Sequence, residues 1–219
     1  MKKFFIVIII LFFTTVGAFA EIIPTHSYSI NKYGIGTLNV VDSFSVYERP
    51  DECSRVLKTV NYERIKNSAI MEDTSGMENT LIAYVPTKNV ALVTVETNNE
   101  DGWFEIYYDQ KNGLTGWVYL NEIRNFRTWR ETLYYWGKMN GIYLFRDYGE
   151  DYKRLYSQDN EESQVVDSFV REKYINFSVI RGNWMLASVF DVEKKNKIGW
   201  MKWRREDGTL LVFPRFYKI

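Results

Sequence analysis

Hydrophobic and polar residues alternate along much of this chain, which is the pattern of half-buried β-strands. Strand-like segments recur from residue 36 to the C-terminus, separated by turn clusters such as Pro50-Asp51-Glu52 and Glu206-Asp207-Gly208. In one stretch, 121–135, apolar residues also fall at helical spacing, so a helix and a linker followed by a strand both remain open there. The pattern predicts an all-β chain.

Two tryptophan-based hairpins repeat along the chain. In the first, Trp103 follows a glycine, and Trp117 follows another glycine fourteen residues later. In the second, Trp184 is followed after sixteen residues by Trp200, again behind a glycine. Each pair predicts two strands joined by a turn, and the recurrence indicates a duplicated unit.

A second match supports the duplication. Residues 46–57 align with residues 155–166, with Tyr, Glu, Ser and Val at four shared positions. Tyr47 precedes Trp103 by 56 residues, whereas Tyr156 precedes Trp184 by only 28, so the first copy carries about 28 extra residues. We assign this surplus to an inserted loop at 61–84, which is rich in Asn, Glu, Ser and Thr.

The N-terminus predicts export. Lys2 and Lys3 precede an unbroken apolar run at 4–13, and Ala18-Phe19-Ala20 places small residues where signal peptidase cleaves. We therefore expect residues 1–20 to be a signal peptide, 21–35 a tether, and the mature chain to be periplasmic or extracellular, with no stable membrane span. The alternative is a retained anchor, because the uncharged span of 17 residues is at the lower limit for crossing a bilayer.

Composition excludes several kinds of site. The 28 basic and 28 acidic residues cancel, so no basic field favours nucleic acid. The only histidine is His26, in the tether, and the only cysteine is Cys53, which leaves no intrachain disulfide and no imidazole beside a nucleophile. Neither a zinc ligand set nor a phosphate-binding loop is present, so we expect no metal and no cofactor. Paired carboxylates are the one catalytic chemistry left open.

The motifs resemble those of bacterial SH3 domains, which are small barrels common in exported cell-envelope proteins. Residues 102–106 and 116–118 match the family's Gly-Trp strands well, and 46–51 matches its first strand and turn loosely. The second copy departs from the pattern at Asp159, where proline is expected, and at Asn183, where glycine is expected. The resemblance implies two tandem SH3-like β-barrels, at 36–124 and 139–219, joined by a linker at 125–138.

The resemblance also implies a binding module and no enzyme. Seven Trp and sixteen Tyr exceed what two small cores readily bury, so some should line grooves that hold extended peptides. The expected partner is a cell-wall peptide, peptidoglycan or an envelope protein. The alternatives are a carboxylate-based enzyme acting on glycans and a secreted host-interaction factor using the inserted loop. The candidate ligand-binding residues are Tyr47, Trp103 and Trp117 in the first copy, and Tyr156, Trp184 and Trp200 in the second.

Overall fold

The chain folds into two antiparallel sheets. The computed structural model describes residues 33–40, 43–60, 79–88, 90–120, 125–145, 149–193 and 195–217. The first sheet contains β1 Gly36–Asn39, β2 Phe44–Tyr47, β3 Val56–Val60, β4 Ala83–Val85, β5 Val90–Asn98, β6 Trp103–Asp109, β7 Leu114–Tyr119 and β8 Phe126–Thr128. The second sheet contains β9 Ile142–Leu144, β10 Arg154–Tyr156, β11 Val165–Ser168, β12 Glu172–Arg181, β13 Trp184–Asp191, β14 Asn196–Lys202 and β15 Val212–Pro214.

Helical structure in the described residues is short. A helical connector between the sheets consists of α1 Trp129–Thr132, a π-helical turn Leu133–Gly137 and α2 Lys138–Asn140. Two 3-10 helices, Pro86–Lys88 and Glu150–Lys153, precede β5 and β10. Within the described part of the chain, none of these helices has both the length and the hydrophobicity that a bilayer span requires.

The two sheets have the same strand order. The first runs β3-β2-β7-β6-β5-β1-β8, and β4 pairs with β5 beside this path. The second runs β11-β10-β14-β13-β12-β9-β15. When the strands are matched in chain order and β4 is left out, β1 corresponds to β9 and each later strand to its counterpart, so the two orders are identical. The repeated Trp hairpins therefore lie in two sheets of one topology.

The all-β prediction is confirmed, but closed barrels are not observed. In the described residues, each hydrogen-bonded path has two open ends, β3 and β8 in the first sheet and β11 and β15 in the second. The predicted signal peptide, 1–20, and His26 lie outside the described residues.

An aromatic cluster joins the two sheets. The ring centre of Tyr33 lies 6.1 Å from that of Trp129, edge to face, and 6.2 Å from that of Phe145. The ring centres of Trp129 and Phe213 are 6.1 Å apart. The Trp129 indole nitrogen also donates to the Tyr33 carbonyl. The buried core of the second sheet continues through this cluster to Val85 and neighbouring residues of β4 and β5. The two sheets therefore share apolar contacts and are not separated by a solvated linker.

Three predicted boundaries differ from the fold. At the end of the predicted loop, Ile82 and Ala83 are buried in the core of the second sheet and Leu81 and Tyr84 in the core of the first, and β4 pairs with β5. Residues 126–128, placed in the linker, form β8 and pair with β1. Tyr33, placed in the tether, is buried in the aromatic cluster. In each case the contacting residues are distant in the chain, so local sequence does not reveal the contact. The remainder of the predicted loop, 61–78, lies outside the described residues.

The β13–β14 turn is held by a buried carboxylate. Asp191 accepts a hydrogen bond from the Lys195 amide at 3.1 Å, and its other oxygen lies 3.1 Å from the Lys197 ammonium. Burial opposes the ionisation of Asp191, but these hydrogen bonds and the charge of Lys197 outweigh it and hold the pKa of the carboxyl below its ordinary value.

We expect Asp191→Asn to lower the Tm near neutral pH. Because the folded-state pKa lies below the unfolded value, Asp191 stabilises the fold above about pH 4, and this contribution is lost as the pH falls through the folded value. Thermal unfolding of both proteins at about pH 7 and about pH 3 should therefore show a Tm difference that narrows at the lower pH. An equal difference at both values would contradict this role.

Candidate functional site

The Gly-Trp motif exists because two strands approach closely at the glycine. In the first sheet, Tyr47 of β2 is the register partner of Trp117 of β7. A Cβ on Gly116 would lie 2.5 Å from Val46 Cγ1 and 3.0 Å from the Tyr47 carbonyl oxygen. Only a residue without a side chain fits there, and the following tryptophan is thereby fixed beside Tyr47.

The second sheet repeats this geometry residue for residue. Tyr156 of β10 is the register partner of Trp200 of β14. A Cβ on Gly199 would lie 2.8 Å from Leu155 Cβ, 3.1 Å from the Tyr156 carbonyl oxygen and 3.2 Å from Val166 Cγ2. These neighbours are the residues that the sequence alignment places opposite Val46, Tyr47 and Leu57, so the alignment predicts the spatial equivalence correctly.

A tyrosine–tryptophan pair lies at the same place on each sheet. The rings of Tyr47 and Trp103 meet edge to face at 5.7 Å, with an interplanar angle of 84°. The rings of Tyr156 and Trp184 meet at 5.3 Å with the same angle. Both tyrosines are half-buried and both tryptophans are buried with a small exposed remainder, so each pair presents an aromatic surface at the sheet edge.

In each sheet, a loop closed by a serine hydroxyl follows the strand that carries the tyrosine of the aromatic pair. In the first sheet, the Ser54 hydroxyl accepts from the Arg49 amide at 3.2 Å and donates to the Arg49 carbonyl at 3.1 Å. Ser163 does the same with Gln158, at 3.3 and 3.2 Å. The closed loop of the second sheet carries Glu161 to the edge of the aromatic pair.

A cleft opens beside the aromatic pair of the second sheet. Its volume is about 380 Å³. The 3-10 helix Glu150–Lys153 and the loop that carries Glu161 both contribute to its lining. We call it the Tyr156 cleft, and it is lined by Asp151, Tyr152, Arg154, Tyr156, Glu161, Trp184 and Lys202.

Two ion pairs contribute to the lining of the Tyr156 cleft. The Lys202 ammonium lies 2.6 Å from Glu161 and 3.6 Å from Glu206, and it stands 5.4 Å from the centre of the Trp184 ring. Burial lowers the pKa of Lys202, but the hydrogen bond and charge of Glu161, supported by Glu206, outweigh it and raise that pKa overall. A second ion pair in the lining joins Arg154 and Asp151 at 2.9 Å.

The first sheet differs at the equivalent positions. Trp103 is opposite Tyr119 in the register, where Trp184 is opposite Lys202. The Trp103 and Tyr119 rings lie 5.2 Å apart. The first aromatic surface therefore carries a tyrosine where the second carries an ammonium group.

The structure brings some of the six predicted site residues together but not others. Tyr156 and Trp184 line the cleft, while Trp200 does not line it, being buried and covered by the Arg181 guanidinium 5.2 Å from its ring. Tyr47 and Trp103 form the matching pair of the first sheet, and half-buried Trp117 pairs with Tyr47 in register.

Sequence reasoning missed the charged and wall residues of the cleft, namely Asp151, Tyr152, Arg154, Glu161 and Lys202. A signal was present for Glu161, because it is one of the four positions shared by the aligned segments. Lys202 could have been found as the residue two after the Gly-Trp tryptophan. The 3-10 helix that contributes Asp151 and Tyr152 has no counterpart in the aligned segments, and Arg154, on β10, lies just before the second of them.

The charged groups of the cleft are arranged as ion pairs. Among the described residues, no group of three or more His, Cys, Asp or Glu side chains is placed to hold a metal ion. The two carboxylates of the cleft, Asp151 and Glu161, are each within 2.9 Å of a cation.

No protein-family model matches the chain, and no curated protein matches its sequence.

Proposed function

We propose that this protein is an exported, non-enzymatic binding module of the cell envelope that holds an extended peptide in the Tyr156 cleft. The observation that carries the proposal is the cleft itself, in which an edge-to-face Tyr156–Trp184 pair lies between two ion pairs. The partner is a peptidoglycan peptide or a segment of an envelope protein. The first sheet offers a second, purely aromatic surface at Tyr47 and Trp103.

The size and composition of the cleft support a peptide ligand. Its volume of about 380 Å³ lies within the range of small-ligand sites and holds a few residues of an extended chain. Aromatic rings supply apolar contact at low entropic cost, and the flanking charges supply orientation. Grooves of this kind hold extended peptides by their backbone shape and a few anchored side chains.

The resemblance of each half to SH3-type domains supports the same proposal. The Gly-Trp strands that carry the resemblance are the strands that build both aromatic pairs. In each half, a loop closed by a serine, Ser54 or Ser163, leads from the tyrosine strand to the sheet edge. We infer that both halves are SH3-type modules. The N-terminal signal-peptide pattern is the reason for proposing a periplasmic or extracellular location.

Retention on purified cell-wall sacculi tests the proposal. The chain from residue 21 onward is mixed with sacculi, sedimented, and the bound fraction measured. We expect the parent to be retained and Tyr156→Ala to lose affinity by about tenfold, because truncating a central aromatic anchor removes both area and packing. Circular dichroism confirms that the variant is folded.

Tyr47→Ala is the matched control, since it removes the equivalent ring from the first sheet at similar structural cost. We expect its retention to fall by less than that of Tyr156→Ala. Retention unchanged in both variants would refute binding through the aromatic pairs. A loss of retention in Tyr47→Ala alone would place the binding site on the first sheet. Release of soluble sugars from the sacculi by the parent would instead favour the glycan-acting enzyme.

A further inference from the structure

Lys202 is the most buried charged residue of the Tyr156 cleft. This lysine ends β14, and its side chain is only 15% exposed, with the ammonium 5.4 Å from the centre of the Trp184 ring. Its register partner across the sheet is Trp184. Strand geometry and burial therefore fix the cation in the cleft, and a cation so placed needs an anion beside it.

The two carboxylates that pair with Lys202 are, by contrast, exposed to solvent and can move away from it. The side chains of Glu161 and Glu206 are 66% and 76% exposed, and both residues lie in turns. An exposed carboxylate that leaves its partner is rehydrated at little cost. Exchange of Glu161 for another carboxylate would therefore preserve the pairing of Lys202.

The second ion pair of the cleft is more exposed. Arg154 lies on β10, two residues before Tyr156, and pairs at 2.9 Å with Asp151, and the two side chains are 51% and 78% exposed. Arg154 and Lys202 thus stand on strands that line the cleft, while Asp151 and Glu161 come from the helix and turn at its rim.

We propose that the Tyr156 cleft selects a peptide through a carboxylate that binds Lys202 in place of Glu161. Glu161 thereby acts as an internal competitor that occupies the anion position while the cleft is empty. The inference rests on the proposed function, because it names the group of the peptide that the cleft recognises. The raised pKa of Lys202 keeps its charge throughout the neutral range.

The first sheet provides a comparison within the same molecule. Glu52 occupies the position of Glu161, but Tyr119 stands where Lys202 does, so no ammonium faces the Tyr47–Trp103 pair from that position. The carboxylate preference should therefore belong to the second sheet alone, and Glu52→Gln is a matched control for Glu161→Gln.

Isothermal titration with two probes tests the inference. The first is the peptide released from purified sacculi, and the second is the same peptide with its carboxyl groups amidated. We expect amidation to weaken binding by about tenfold or more, because a charge-assisted hydrogen bond is lost. Lys202→Met should bind both probes as weakly as the parent binds the amidated one. Glu161→Gln should bind the unmodified peptide several-fold more tightly, and Glu52→Gln should behave as the parent.

Equal affinity of the parent for both probes, or weaker binding by Glu161→Gln, would overturn the inference and leave the proposed function standing. Retention on sacculi without binding of the released peptide would overturn the inference and also the peptide ligand of the proposed function, since the ligand would then be the glycan. If neither sacculi nor peptide bind the parent, the peptidoglycan partner of the proposed function fails together with the inference.

Discussion

The Gly199→Ala variant is expected to be less stable than the parent by about 3 kcal/mol, because a single methyl group overpacks the close approach of β14 to β10. The new Cβ would lie 2.8 Å from Leu155 Cβ and 3.1 Å from the Tyr156 carbonyl oxygen. The second of these contacts is with backbone, which has no rotamer to change. β10 must therefore move away from β14, and the Tyr156 cleft is distorted with it. Unfolding in urea, monitored by tryptophan fluorescence, measures the loss of unfolding free energy.

Two further glycines complete this experiment. Gly116→Ala should cost a similar amount, since its Cβ would meet Val46 and the Tyr47 carbonyl at the equivalent place. Gly149→Ala should change the free energy of unfolding by less than about 0.5 kcal/mol, because no atom lies within 4 Å of its added Cβ. If all three variants were equally stable, the close approach behind the Gly-Trp motif would be wrong.

Trp129→Ala is expected to cost about 3–5 kcal/mol, the usual range for emptying a buried tryptophan site. The indole fills the junction between the two sheets, against Tyr33 and Phe213, and its nitrogen is bonded to the Tyr33 carbonyl. Because the junction is shared, the parent should unfold in one cooperative transition and the variant in two. Calorimetry and urea titration distinguish these cases.

Trp129→Phe is the matched control for the junction. It keeps an aromatic ring in the site but removes the hydrogen bond to Tyr33, so its cost should be less than half that of Trp129→Ala. Two separate transitions in the parent itself, with Trp129→Ala affecting only one of them, would show that the sheets fold independently.

Local patterns were sufficient to predict the strands and the repeat. Strand alternation and the Gly-Trp spacing are properties of neighbouring residues, so both Trp hairpins could be located from sequence. The alignment of residues 46–57 with 155–166 also placed Ser54 opposite Ser163, and the two serines close their loops with the same hydrogen bonds.

Long-range packing was not predictable in the same way. In the sequence, β4 looks like the end of a polar loop, yet residues 81–84 are buried because they pack into the cores of both sheets. Residues 126–128 resemble a linker in the sequence, but in the fold they form β8 by pairing with β1. The cleft escaped prediction for a related reason, since Lys202 and Glu161 are ordinary surface residues in the sequence and meet only through the fold.

The equivalence of the two halves also explains why the predicted site residues divide as they do. Trp117 and Trp200 follow the close-approach glycines, whereas Trp103 and Trp184 are the first residues of β6 and β13 and meet the tyrosine rings edge to face. Equal sequence motifs thus carry tryptophans with different partners. The residue across the strand, Tyr119 or Lys202, and the 3-10 helix Glu150–Lys153 separate an aromatic surface from a charged cleft.

The central claim is that the second aromatic pair is the place where this protein holds its ligand. The most direct measurement is a nuclear magnetic resonance titration of the seven tryptophan indole N–H signals with the peptide released from sacculi. We expect the signal of Trp184 to shift first and most, while that of Trp129, which is buried at the junction of the two sheets and does not line the cleft, remains in place. Shifts confined to Trp103 and Trp117, or no shift at Trp184 at saturating peptide, would contradict the claim.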